Sequence, residues 1–157
     1  MLVIIWNIQV GKVGLVLETV EHIKIKDQSI AIIVRTSHSS DGVDFLTENT
    51  ASMQLAYMKR PKNDHIIAHR HRRIVRKIEK TAETLIIRKG RMKINFFTPD
   101  AELICSKILV TGDVVLLLDG GHGMEMLEET ELIEVKQGPY FGENEKVCFN
   151  GINEITQ

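Results

Sequence analysis

The residues with the most chemistry to offer lie in one stretch, HRHRRIVRKIEKTAETLIIRKG, residues 69–90. His69 and His71 are one residue apart, so on an extended chain both imidazoles point the same way. Glu83 opens the apolar run ETLIIRKG. The same alternation puts Glu83, Leu85 and Ile87 on one face, and Thr84, Ile86 and Arg88 on the other. With Leu85 and Ile87 turned inward, Glu83 turns inward too, and a carboxylate there needs a cation or hydrogen bonds to offset its lost hydration. A further candidate, His122, stands in GDVVLLLDGGHGMEMLEE between glycines that let the backbone turn tightly or approach a site. Two or three imidazoles with one carboxylate make a common ligand set for Fe(II), Mn(II), Zn(II), Ni(II) or Co(II). Taken singly, each has a plainer reading: a solvated basic run, a glutamate on a wet strand face, a turn histidine. His65, four residues before His69, is a spare ligand or a support for one. His22 and His38 have no partners in sequence and read as surface residues.

Other polar residues bear on binding. In ELIEVKQGPY, Ile133, Val135 and Gln137 share a face. If it is the inner one, Gln137 reaches a substrate or a metal-bound water. Tyr140, after Gly138-Pro139, is placed to cover a pocket mouth or to pack at its rim. Arg70, Arg72, Arg73, Arg76, Lys77 and Lys80 form the one strong basic run. It reads first as a charged strand edge that discourages pairing. Its alternative is an anion clamp, with Arg76 meeting a phosphate or carboxylate of a substrate. No aromatic residues interleave with the charge, so single-stranded nucleic acid is not the expected partner.

The elements that must position these groups are short and rich in β-branched residues. Strands are predicted at 29–37, 42–47, 53–59, 83–90, 91–97, 102–110, 113–118 and 131–137. In RMKINFF, Met92, Ile94 and Phe96 alternate with Lys93 and Asn95. Residues 15–25 read equally as helix or strands. Residues 72–82 carry a near-helical spacing at Ile74, Val75, Ile78 and Ala82, but their β-branched content and their surroundings favour a strand. Many short strands separated by glycine turns predict an antiparallel sandwich or barrel.

The chain's 157 residues suit one domain with a core of its own. We divide it into an N-terminal arm with the first strands (1–50) and a barrel core (51–149). A net charge of -1 gives no sign of a nucleic-acid or membrane partner. Cys105 and Cys148 have neither zinc-type nor CxxC spacing. Cys105 reads as a small buried hydrophobe, and unpaired thiols fit a reducing cytoplasm. The apolar start MLVIIWNIQVGKVGLVL lacks a basic leader and is broken by Lys12 and two glycines. It reads as sheet or packing material rather than a signal or a span.

These residues also resemble the cupin superfamily. Its first motif has the form G-x5-H-x-H-x3-4-E-x6-G; here His69-x-His71 is followed by Glu83, six residues and Gly90. The stretch from His71 to Glu83 is longer than in that motif, and the leading glycine is absent. The second motif is similar to Gly112 through Gly120-Gly121-His122, without its proline and final asparagine. GGHGMEMLEETELIEVKQGPYFGENEKVCF, with AIIVR, GVDFLT and QLAYM before it, resembles a subgroup of small cupins met among bacterial surface-glycan and sugar-nucleotide biosynthesis genes. The likeness runs from about residue 15 to 149. It implies a double-stranded β-helix (jelly-roll barrel) in which His69, His71, Glu83 and His122 ligate a divalent metal: zinc, iron, manganese or nickel. It also implies a carbohydrate-derived ligand and a homodimer, to which residues 1–17 would add by strand addition. The expected chemistry is a metal-dependent isomerisation or epimerisation, with the metal holding a carbonyl or vicinal hydroxyls. The sequence identifies no general base, so a binding or regulatory module without turnover is the alternative. An Fe(II) oxygenase is another, since four ligands leave two positions open on an octahedral ion.

Overall fold

The structure is a computed structural model, and it describes residues 18–151. The expectations for residues 1–17 lie outside the described residues. Within them the chain is all-β, with ten strands and a short 3-10 turn at Gly142–Glu145. No helix there is long and apolar enough to cross a membrane.

A five-stranded antiparallel sheet runs β1 (Val20–Ile25), β2 (Gln28–Val34), β8 (Val114–Leu117), β5 (Glu83–Lys89), β10 (Glu131–Lys136). A three-stranded sheet runs β7 (Leu103–Val110), β6 (Arg91–Phe97), β9 (Gly121–Met126). β3 (Gly42–Phe45) and β4 (Ala56–Lys59) form a separate hairpin. Alternation decides which side of each strand is dry. Ala31, Ile33, Leu85, Ile87, Val115 and Leu117 of the larger sheet share one buried cluster with Met92, Ile94, Phe96 and Leu109 of the smaller. The two sheets therefore face each other across one apolar core, and they do not close into a barrel.

The turn from β7 to β8 is tied by Asp113, which is buried. Its carboxylate accepts from the backbone N–H of Thr36 at 2.8 Å and of Val110 at 3.2 Å, and from Arg35 at 2.9 Å. Arg35 and Lys107 both reach Glu21, at 2.5 and 2.6 Å, so four charges share one network. Burial works to raise the Glu21 carboxyl, but hydrogen bonds from Lys107 and Arg35 outweigh it and hold the group below its ordinary value.

The eight expected strands are all present, shortened at some ends. Of residues 15–25, those described form β1 from Val20 onward. One expectation is corrected. Residues 72–82 form no strand: 72–81 belong to an exposed connection running from Arg60 to Thr81, and Ala82 after it is buried. The connection's β-branched residues have no strand beside them, and β-propensity alone does not hold an unpaired strand in water. One strand escaped the sequence reading. β9 begins at Gly121 itself, where a turn was expected to deliver His122.

Candidate functional site

Glu83 is the first residue of β5 and stands between Leu117 of β8 and Lys136 of β10. Leu85 and Ile87 are buried, as the alternation predicts, and Glu83 follows them inward at the rim with 21% of its side chain exposed. His122 is the second residue of β9 and pairs across to Phe96, which sets it on the inner face. Glu83 and His122 come from opposite sheets and meet, Oε2 to Nε2, at 3.4 Å. Gly120 makes this approach feasible. Its φ is +71°, and a Cβ there would stand 2.5 Å from the carbonyl oxygen of Phe97.

Two neighbours fix the carboxylate's surroundings. The ammonium of Lys136 hydrogen-bonds Glu145 at 3.0 Å. That bond, with the negative charges of Glu145, Glu83 and Glu134, raises Lys136 above its ordinary value and keeps it cationic beside the pair. Gln137 accepts from the N–H of the buried Ala82 at 3.1 Å and donates to the carbonyl of Ser52 at 3.3 Å. It thus clamps the residue preceding Glu83.

Around the pair opens a wide groove of ≈ 1740 Å³, larger than the roughly 300–1,000 Å³ of a ligand pocket. Lys80 and Asp119 form an ion pair on its wall, and Phe97 packs edge-on against Phe149 at 5.2 Å. An imidazole and a carboxylate converging in such a groove suit a divalent ion of borderline softness.

The other two expected ligands are elsewhere. His69 and His71 stay together, with ring centroids 5.5 Å apart, on the exposed connection. The Nδ1 of His69 lies 2.8 Å from the carbonyl of Ile67. Among the described residues, no three side chains of His, Cys, Asp or Glu stand close enough together to hold a metal ion. His65 and Arg76 are exposed on the same connection.

The face expected to carry Gln137 inward is open: Ile133 is 42% and Val135 50% exposed. Gln137 meets the backbone of Ala82 and Ser52 instead of lining the groove. Tyr140 is exposed, under the ammonium of Lys136 at 5.0 Å, and Phe149 rather than Tyr140 stands at the groove.

Two further expectations change. His38 is not a surface residue, for its side chain is 9% exposed. It lies 3.0 Å from the Thr19 hydroxyl and 3.6 Å from Asp44, edge-on to Tyr57. Its partners are distant in sequence, so no local pattern marks it. Cys105 is half-buried rather than buried, and desolvation pushes its thiol up. The sequence reading also missed Lys136 and Asp113. For Asp113 a signal existed, an acid directly after a turn glycine and before an apolar strand.

Compared with protein-family models, curated proteins and solved structures, the chain has no significant match.

Proposed function

We propose that this chain is a small metal-binding protein of cupin type, holding a divalent ion through Glu83, His122, His69 and His71. The observation that carries the reading is the convergence of Glu83 and His122 from opposite sheets at 3.4 Å. An imidazole and a carboxylate in one groove are half of the expected ligand set, and His69 and His71, together on the exposed connection, would supply the other half. The jelly-roll form is part of the proposal: a strand from the connection laid beside β9 would extend the smaller sheet and bring both imidazoles toward the pair.

The proposed ligand is carbohydrate-derived, as the sequence resemblance implies. A bound ion would act as a Lewis acid on a carbonyl or on vicinal hydroxyls. Lys136, kept cationic by Glu145, is placed to hydrogen-bond an anionic oxygen beside Glu83. A second reading, binding without turnover, has its own support. Lys80 is paired with Asp119, Lys93 with Glu125 at 3.6 Å, and Lys136 with Glu145. The lysines and carboxylates of these pairs are thus engaged with one another.

The test is cobalt substitution followed by visible absorption. The parent should develop ligand-field bands, and Glu83→Gln and His122→Ala should each lose them. Unchanged bands in either variant would remove that residue from the site.

A further inference from the structure

Along β9 the sandwich is open. Met124 and Met126 stand opposite Ile94 and Met92 and share their inward face. Ile94 and Met92 are fully buried, yet Met124 is 42% and Met126 48% exposed. Inward-facing apolar side chains stay wet only where the next strand is missing. Among the described residues β9 ends its sheet, and no described strand pairs with its outer side, a template for strand addition.

The exposed connection has what this edge lacks. Ile67 and Val75, which on an extended chain share the face of His69 and His71, are 86% and 93% exposed. Between Pro61 and Glu79, every side-chain hydrogen bond among the described residues is local. The charges are complementary as well. Arg70, Arg72, Arg73 and Arg76 join no ion pair among the described residues, and neither does Glu128 in the loop that follows β9. At one end of the connection Lys59 pairs with Asp41 across the β3–β4 hairpin at 2.9 Å, and at the other Lys80 pairs with Asp119 on the groove wall. Between them it leaves its own β9 uncovered.

We infer that the connection is exchanged between two copies of the chain. Residues 65–79 of one copy add to β9 of the other and carry His69 and His71 to that copy's Glu83 and His122. A two-fold pair satisfies both edges at once, since each copy gives one strand and receives one. The contribution of ligands rests on the metal reading above; the exchange itself rests on the open edge and the exposed connection.

The two are tested separately, in full-length chains whose Cys148 is replaced by Ser. A Val75→Cys chain is mixed with a Met124→Cys or a Met126→Cys chain under mild oxidation. A covalent dimer of unlike chains is expected. Its absence with both partners, or ring closure within single chains carrying Val75→Cys and either methionine variant at high dilution, would overturn the exchange. For the ligands, His69→Ala/His71→Ala is co-refolded with Glu83→Gln/His122→Ala, and zinc is counted in the isolated heterodimer. One intact site, and so one zinc ion per heterodimer, is expected, although neither variant binds zinc alone. Zinc in the parent but none in the heterodimer would overturn ligand exchange and leave the metal reading standing. A cross-linked parent that takes up no zinc would sustain the exchange and remove the metal reading.

Discussion

Glu83 and Gln137 show how neighbours decide what a polar side chain does. Glu83 faces inward because Leu85 and Ile87 do, and it meets His122 there. As the proposed ligand, its replacement by Gln should weaken zinc binding beyond the roughly 10–100-fold typical of outer-shell partners; competition with a chromogenic chelator reads this directly. Gln137 acts through the backbone. Gln137→Ala leaves the N–H of buried Ala82 without its side-chain partner and should cost about 1–3 kcal/mol in urea unfolding. Glu21 sets an acid dependence. Its folded value lies below the ordinary one, so its contribution is complete above the unfolded value of about 4.3. That contribution is lost as pH falls through the folded value. Urea midpoints should therefore drop with acid below pH about 4.3, and Glu21→Gln should flatten this part of the profile.

The strands themselves were legible because alternation is a local property. Met92, Ile94 and Phe96 read as inward and are buried; Leu85 and Ile87 likewise. The inward turn of Glu83 was legible by the same rule. Two elements were not. Residues 72–82 have strand-like composition, but a strand needs a neighbour, and a sequence does not show whether one is present. β9 was hidden by Gly120, Gly121 and Gly123, which read as a turn although its residues pair along β6. The pairing of Glu83 with His122 joins two sheets and depends on long-range register, which no spacing rule supplies. At the β5–β6 turn, Gly90 has φ +89°, and a Cβ there would stand 2.3 Å from the carbonyl oxygen of Glu129. Gly90→Ala should therefore destabilise the fold by at least about 1–3 kcal/mol, the usual cost of such a backbone, in thermal or urea unfolding.

For the whole molecule, the open flank along β9 joins fold to chemistry. The larger sheet is complete enough to bury a core, while the smaller one ends at an edge beside the groove. Adding a strand there would cover Met124 and Met126 and bring the proposed ligands His69 and His71 toward Glu83 and His122. The unpaired arginines of the connection should make the proposed association salt-sensitive, which sedimentation from low to high ionic strength would read. The chain is proposed to hold a metal through Glu83, His122, His69 and His71. The direct measurement is elemental analysis of protein purified without a chelator or a histidine tag, beside His69→Ala and His122→Ala. Near-stoichiometric zinc, iron, manganese or nickel in the parent, lost in both variants, is the expected result. A parent without metal that also takes up none of these ions on addition would contradict it.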